Sequence, residues 1–414
     1  MNRSAKPGVS SALAILFIVN LLAAVDRTAL AAVLPAIKQD LVLSDTQLGF
    51  LTGIAFSAFY AVFGLPLASW ADRHNRRNTL WISVLFWSLA TAATGLVRSF
   101  SQLACARMFV AVGEAGGVPV AHSLLSELTP VTRRPMVFAI HSAAAPLGAL
   151  VGLAGIGILA DLYGWRNSFY LLGLAGLPVL VLIAVWLPEP RQIAIPQTGS
   201  AQANWKRLLS NRTFLWLLTG FAIGSFAMAG LLQWLPSYFG RTFRLSLSEA
   251  GVFFGLAYGT GAVAGMLLGG ICANRLMRRG TVWALWIASL SYVAGAPLLV
   301  AALAVDSLAL SLILVALGTG IASAAYGPAF AMIQTIAEPQ MRAKASAISL
   351  LVSNLIGAGL GPLIVGILSD TTGGENPLRT ALLWLSPALF LPAICYWRSA
   401  AAFQREPSTN AERG

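Results

Sequence analysis

Apolar residues follow one another along this chain in long runs, and short polar segments separate the runs. A helix needs about 20 mostly apolar residues to cross the hydrocarbon core of a bilayer. Twelve segments meet this criterion, and we number them spans 1 to 12. They are 11–34, 47–70, 78–98, 102–128, 135–160, 166–187, 212–239, 248–272, 281–304, 307–337, 344–369 and 380–402. The pattern predicts an all-α polytopic membrane protein.

The longest polar stretch, residues 188–211, contains three prolines and a Lys-Arg pair, and it leaves six spans on each side. We therefore predict an N-terminal six-helix bundle over 1–187, a cytoplasmic linker over 188–211, and a C-terminal six-helix bundle with a short tail over 212–414. The two bundles are expected to be pseudo-symmetric, because short patterns recur in both.

The recurring patterns keep their order along the chain. Pro130-x-x-Arg133 returns 209 residues later as Pro339-x-x-Arg342. The same offset relates one series of positions to another: Gly148, Gly152, Gly157 and Asp161 to Gly357, Gly361, Gly366 and Asp370. Ala-Asp-Arg at 71–73 returns 202 residues later as Ala-Asn-Arg. Six crossings bring the chain back to its starting side, so the two halves are parallel repeats related by an axis along the membrane normal.

Composition agrees with a membrane location. The chain is 57% hydrophobic and only 10% charged, whereas soluble domains carry about 25% charged residues. The net charge of +12 does not indicate nucleic acid, because the 27 Lys and Arg residues are scattered between apolar runs and form no basic stripe. Most of them lie in the loops that share a side with the termini. The positive-inside rule therefore predicts cytoplasmic termini in the plasma membrane, which is the inner membrane in a bacterium.

Several kinds of chemistry are missing from the sequence. The three cysteines stand alone in apolar runs, and no Cys/His cluster is present, so we expect no metal, no disulfide and no cofactor. No HExxH, GxSxG or Walker sequence occurs, which argues against an enzyme. The linker is too short for a nucleotide-binding domain, which argues against ATP-driven transport.

The loop after span 2 reads Ala-Asp-Arg-His-Asn-Arg-Arg over 71–77. It resembles the loop 2–3 motif of the major facilitator superfamily, with asparagine where the motif has glycine. The resemblance implies the two-bundle fold of that superfamily and a transport function. It also implies a cytoplasmic gate formed by Asp72, Arg73 and Arg76, to which we add Arg133 from loop 4–5.

A narrower resemblance lies in spans 1 and 4. Span 1 contains Asn-x5-Asp26-Arg27, and span 4 contains Arg107-x5-Gly-Glu114-Ala-Gly-Gly-x-Pro-x2-His122-Ser. Both patterns are similar to the Spinster group, whose members include lysolipid and sphingolipid transporters. Organic-anion symporters of the superfamily share the span 1 pair and part of the span 4 pattern. The resemblance therefore implies a lipid-like substrate, or alternatively a small organic anion.

Charged residues well inside the spans all lie in the first repeat. A charge near the bilayer centre costs roughly 2.5–3.5 kcal/mol on insertion scales, so each one needs a partner or a cavity. Arg107 and Glu114 are two helical turns apart and share a helix face. Depth along the helices suggests that Asp26 meets Arg107 while Arg27 approaches Glu114. A purely structural ion pair is the alternative explanation.

We expect Asp26 and Glu114 to couple protons, because separation of a buried carboxylate from its arginine changes its affinity for a proton. Arginine can also hold an anionic group bidentately, and histidine can relay protons. The predicted substrate contacts or charge partners are Arg27, Arg107, His122, Gln233, Tyr326 and Asn354.

The sequence thus predicts a monomeric, proton-coupled secondary transporter that moves an amphipathic or lipid-like substrate by alternating access. Its partners are the substrate, protons and membrane lipids, without nucleic acid. Two alternatives stay open: a symporter or exporter of small organic anions such as aromatic or sugar acids, and a transporter-like receptor.

Overall fold

The computed structural model describes residues 9–129, 134–189, 205–337 and 341–405. These ranges contain helices and no strand. Eleven of the helical segments are long and apolar enough to cross a membrane. Helix Arg76–Thr94 occupies the position of predicted span 3 and is more polar, with several buried serine and threonine side chains. The prediction of an all-α polytopic fold is confirmed.

In the first repeat, spans 1, 3 and 5 are continuous helices, and each even-numbered span is a pair of helices. The continuous helices are Val9–Leu41, Arg76–Thr94 and Arg134–Tyr163. The pairs are Asp45–Thr52 with Ile54–Arg73, Phe100–Ala115 with Gly117–Leu128, and Trp165–Leu174 with Gly176–Trp186.

In the second repeat, a short helix, Trp205–Ser210, precedes span 7. Spans 7, 8 and 9 are Arg212–Phe243, Leu247–Leu276 with the 3-10 turn Met277–Arg279, and Trp283–Ala304. Span 10 is Leu308–Ser323 with Tyr326–Ile336. Span 11 is Arg342–Val352, the π-helical segment Ser353–Leu360 and Gly361–Thr371. Span 12 is Pro377–Leu385, Ser386–Leu389 and Leu391–Arg405.

Span 1 is longer than predicted. Its helix continues through Pro35 and ends at Leu41, whereas the sequence pattern placed its end at residue 34. Membrane-spanning helices tolerate an internal proline because neighbouring groups satisfy the freed backbone atoms. The extension brings Lys38 and Asp40 to the end of the same rigid helix, where both form ion pairs.

The chain forms two compact units. Unit 1 comprises Met1–Ile195, Gln233–Leu256 and Pro362–Thr371. Unit 2 comprises Pro196–Leu232, Ala257–Gly361 and Thr372–Gly414. The core of unit 1 includes Leu16, Trp87 and Leu124, and the core of unit 2 includes Phe214, Met332 and Tyr396. The division into bundles at 188–211 stays a prediction, because most of that stretch lies outside the described residues.

Spans 8 and 10 approach each other closely within unit 2. Gly261, Gly265 and Gly269 recur at every fourth residue and form one stripe on span 8. A Cβ atom on Gly265 would overlap the carbonyl oxygen of Gly320, and the other two glycines face carbonyl oxygens of span 10 in the same way. Small residues at this spacing allow helix backbones to pack closely in a membrane.

We predict that Gly265→Ala destabilises the protein by about 1–3 kcal/mol, because an added methyl group must displace a backbone oxygen. Gly270→Ala is the matched control: it lies on the same helix, and no atom lies within 4 Å of its added Cβ. The midpoint of thermal unfolding in detergent should fall by several degrees for the first variant and stay unchanged or rise for the second. Equal midpoints would contradict the close contact.

Candidate functional site

The four charged residues predicted to act together lie in unit 1, on spans 1 and 4. Asp26, Arg107 and Glu114 are only 1–2% exposed. Arg107 Nη1 donates to Asp26 Oδ1 at 3.1 Å, and Arg27 Nε donates to Glu114 Oε2 at 2.6 Å. Both pairings expected from helix depth are therefore present. Pairing offsets much of the cost of burying each charge.

Span 3 supplies a further partner that the sequence did not reveal. The Thr91 hydroxyl donates to Asp26 Oδ2, and Thr91 is itself buried. Asp26 thus receives one hydrogen bond on each carboxylate oxygen. The only signal in the sequence was the unusual polarity of span 3, which also buries Ser83 and Ser88.

Two aromatic rings of span 2 cover the arginines. Arg27 Cζ lies 5.6 Å from the centroid of Phe56 and 5.0 Å from that of Tyr60. Arg107 Cζ lies 5.2 Å from the centroid of Phe56. Cation–π contacts stabilise desolvated cations by up to about 2 kcal/mol. Phe56 therefore touches both arginines. The sequence does not indicate this role, because Phe56 is a phenylalanine within an apolar run.

Some polar atoms of this cluster have no protein partner. Arg27 Nη2, Arg107 Nε and Glu114 Oε1 are buried and make no hydrogen bond to the described residues. Buried polar groups are nearly always hydrogen-bonded, so these atoms mark positions where water, a proton or a polar ligand can bind. The Arg27 side chain is also 37% exposed, which makes it the most accessible member of the two pairs.

A small cavity adjoins Glu114 and has room for about one water molecule. Asn20, Arg27, Trp87 and His141 also line it. His141 is buried, and neither ring nitrogen has a hydrogen-bond partner in the part of the chain that the structure describes. The exposed His122 ring packs edge-on against that of His141, with centroids 5.3 Å apart. Polar groups thus extend from Glu114 toward His122.

Unit 2 contains a larger cavity of about 140 Å³. Its lining is aromatic, apolar or hydroxylic, and none of the lining residues is charged. The principal lining residues are Phe221, Ser225, Met228, Tyr258, Tyr292 and Tyr326. Gly224 leaves room for the Tyr292 side chain, because a Cβ at Gly224 would lie 2.5 Å from the tyrosine hydroxyl oxygen. The predicted contact residue Tyr326 therefore lies at a cavity suited to uncharged groups.

The remaining predicted substrate contacts are more isolated. Gln233 and Asn354 are half-buried and line neither of these two cavities. Asn354 lies in the π-helical part of span 11, a local geometry that often occurs at functional positions. Their roles stay predictions.

The predicted cytoplasmic gate is only partly described. Arg76 Nη1 donates to Glu127, and the backbone N–H groups of Arg76 and Arg77 donate to the Glu189 carboxylate at 3.2 and 2.7 Å. These contacts join the start of span 3 to the end of span 4 and to the segment that follows span 6. The side chains of Asp72 and Arg73 lie outside the described part of the structure, and so does Arg133. Across the described ranges, no group of three or more His, Cys, Asp or Glu residues could hold a metal ion.

Comparisons with known proteins agree on one family. The sequence model of the Major Facilitator Superfamily matches residues 16–362. An MFS-type efflux pump of Mycolicibacterium smegmatis is 35% identical over 402 residues, which cover 96% of this chain and 94% of the relative. A hexuronate transporter of Bacillus subtilis is 25% identical over 86% of this chain and 87% of the relative. A crystal structure of a bacterial homolog to the human lysosomal transporter Spinster, inward-facing and unoccupied, has a TM-score of 0.87 at 25% identity; the match covers 97% of this chain and 98% of that one.

We predict that Arg107→Gln lowers the stability of the protein by about 3–5 kcal/mol, because it leaves Asp26 buried without its cation. The double variant Asp26→Asn/Arg107→Gln should recover most of this loss, since two neutral amides can hydrogen-bond. The exposed pair Asp40–Arg166 offers the control: Asp40→Asn should cost at most about 1 kcal/mol. Thermal unfolding of the purified variants measures all three. A double variant no more stable than Arg107→Gln would refute the coupling between the two side chains.

Proposed function

Because the chain belongs to the Major Facilitator Superfamily, we propose that it is a proton-coupled secondary transporter of an amphipathic or lipid-like substrate. Family and fold are those of transporters and not of enzymes. The coupling ion and the substrate class are the proposed part. The observation that carries the proposal is the pair of buried carboxylates, Asp26 and Glu114, each held by one arginine inside the spans.

The proposed coupling rests on simple electrostatics. An arginine in contact stabilises a charged carboxylate, whereas burial without a cation favours the neutral acid. Movement that separates Arg27 from Glu114, or Arg107 from Asp26, therefore makes proton uptake favourable. Closure of the pair releases the proton again. In this way the two conformations of an alternating-access cycle bind protons with different affinity.

The histidines support a route for the proton. Glu114 Oε1 and the His141 ring nitrogens are buried without hydrogen-bond partners among the described residues, and both residues line the one-water cavity. A water there can bridge them, and His141 contacts His122, which is exposed. We propose that Glu114 exchanges its proton with solvent through these two histidines.

The cavity of unit 2 supports an amphipathic substrate. Its aromatic and apolar lining suits a ring or an acyl chain, and its tyrosine and serine hydroxyls can bind uncharged polar groups. Separately from this cavity, Arg27 in unit 1 is exposed enough to bind an anionic group bidentately. The similarity to an efflux pump favours outward movement, and the distribution of Lys and Arg favours cytoplasmic termini in the plasma membrane.

The second candidate substrate is a small organic acid. The hexuronate transporter among the relatives and the available guanidinium of Arg27 favour it. A transporter-like receptor is the third possibility, and it differs from both by the absence of substrate movement. Counterflow of labelled substrate into liposomes separates a receptor from a transporter.

We expect Asp26→Asn and Glu114→Gln each to abolish substrate-driven proton movement in proteoliposomes, because the neutral amide cannot take up and release the proton. Substrate counterflow, which needs no net proton movement, should persist. Asp40→Asn removes an exposed carboxylate from the same helix as Asp26 and serves as the control with wild-type coupling. Retention of wild-type coupling in both Asp26→Asn and Glu114→Gln would falsify the assignment of these carboxylates.

We expect lysolipids or sphingoid lipids, and not aromatic or sugar acids, to raise the midpoint of thermal unfolding. Tyr326→Ala should raise the lipid concentration needed for the same rise in midpoint about tenfold. This matches the loss of an aromatic contact, about 0.5–1.5 kcal/mol, together with the loss of buried area. Tyr163→Ala, which removes an exposed tyrosine outside the cavity, is the control. A response to organic acids alone, lost in Arg27→Gln, would instead establish the second candidate.

A further inference from the structure

Asp370 at the end of span 11 caps the first turn of span 2. Its Oδ1 accepts a hydrogen bond from the Asp45 backbone N–H at 2.9 Å, and its Oδ2 accepts one from the Thr46 N–H at 2.7 Å. The first N–H groups of a helix lack partners inside the helix and carry partial positive charge. A carboxylate that binds two of them forms a strong, charge-assisted contact.

The same contact occurs a second time in unit 1. Asp161 ends span 5, and its Oδ2 accepts from the Ser248 N–H in the first turn of span 8 at 2.8 Å. Asp161 corresponds to Asp370 by the 209-residue offset, and Ser248 corresponds to Thr46 by the 202-residue offset. Each contact therefore links one sequence repeat to the other, and the two contacts are related by the internal symmetry of the chain.

Glycines make both contacts possible. Gly157 and Gly366 stand one helical turn before the two aspartates. A Cβ on Gly157 would lie 2.5 Å from the Leu247 carbonyl oxygen. A Cβ on Gly366 would overlap the carbonyl oxygen of Asp45. The helix ends meet at backbone distance, which brings the carboxylates within reach of the amides.

One of the two contacts has an additional ion network. Asp45 is 2% exposed, and Arg241 binds both of its carboxylate oxygens at 2.7 Å. Lys38 and Ser369 each donate to it at 2.6 Å. The corresponding position of the second repeat is Leu247, which has no charge. The Asp370 contact is therefore the stronger of the two.

We propose that these contacts form a two-part latch between the repeats, on the side of the membrane opposite the termini. The first part consists of Asp370, Asp45 and Arg241, and the second part is Asp161 with the amide of Ser248. Alternating access moves one repeat against the other around a fixed site. Contacts that join the repeats at one end must break before that end can open. The latch therefore sets the balance between the states closed and open on that side.

Two other ion pairs at this end provide a contrast. Asp40 pairs with Arg166 inside the first repeat, and Asp306 pairs with Arg379 inside the second. Neither pair has to break when the repeats separate. Loss of Asp370 or Asp161, which join the two repeats, should therefore favour opening. Loss of Asp40 or Asp306, which pair within one repeat, should not.

The test measures the distance between spin labels on exposed Val42 and Arg244, which lie in loops of the two repeats within unit 1 and take no part in the latch. The full chain is used, with its three cysteines replaced by serine or alanine. Asp370→Asn should raise the ratio of long-distance to short-distance populations about tenfold, as expected for a lost charge-assisted hydrogen bond. Asp161→Asn should raise it less, by roughly threefold, because no ion network adjoins the Asp161 contact.

Asp40→Asn and Asp306→Asn are the matched controls and should leave the ratio unchanged. Ser369→Ala provides a milder variant should Asp370→Asn fail to fold, and it should raise the ratio by a smaller factor. Distance distributions of folded Asp370→Asn or Ser369→Ala identical to wild type would overturn the latch. The latch would also be overturned if Asp40→Asn and Asp306→Asn raised the population ratio as much as Asp370→Asn. Opening would then follow from a general loss of negative charge. The measurement uses neither substrate nor protons, so its outcome is independent of the proposed coupling.

Discussion

A charge inside the hydrocarbon region must have a partner, and this constraint explains the centre of unit 1. Asp26 and Glu114 are buried away from bulk solvent, and each is paired with an arginine. The arginines lie against Phe56, whose ring face replaces part of their hydration. The result is a buried cluster in which each carboxyl group contacts one guanidinium group. The proposed proton coupling rests on this arrangement, because separating a buried carboxyl group from its arginine favours the neutral acid.

The two units differ in chemistry, although short sequence patterns recur in the two halves of the chain. Unit 1 contains the charged cluster, whereas the cavity of unit 2 is bounded by tyrosine, phenylalanine, methionine and serine without a charged residue. Shared helix positions thus serve as a common scaffold, and the side chains on it have diverged.

Sequence reasoning worked where the signal is local and failed where it depends on which helix faces which. The length of apolar runs located the spans, and helical geometry placed Arg107 and Glu114 at depths that match Asp26 and Arg27. Thr91 and Phe56 were missed, because a hydroxyl or a ring in an apolar run has no distinctive spacing, and only packing of spans 2 and 3 against spans 1 and 4 reveals their role. Asp45 was missed for another reason: it lies just outside a predicted span, where charges are usually solvated, and close approach of helix ends buries it.

The repeat also shows where the symmetry of the chain is broken. Position 45 is aspartate in the first copy and its counterpart at 247 is leucine; in loop 2–3, position 72 is aspartate and its counterpart at 274 is asparagine. Near both ends of span 2, the acid is present only in the first copy. At the end that carries the latch, the two equivalent helix contacts are therefore unequal, because Asp45 adds an ion network that Leu247 cannot form. Unequal contacts can break in sequence, and each step then needs less energy than the simultaneous rupture of two strong ones. An asymmetric pair at this end can therefore hold a closed state firmly and still let it open.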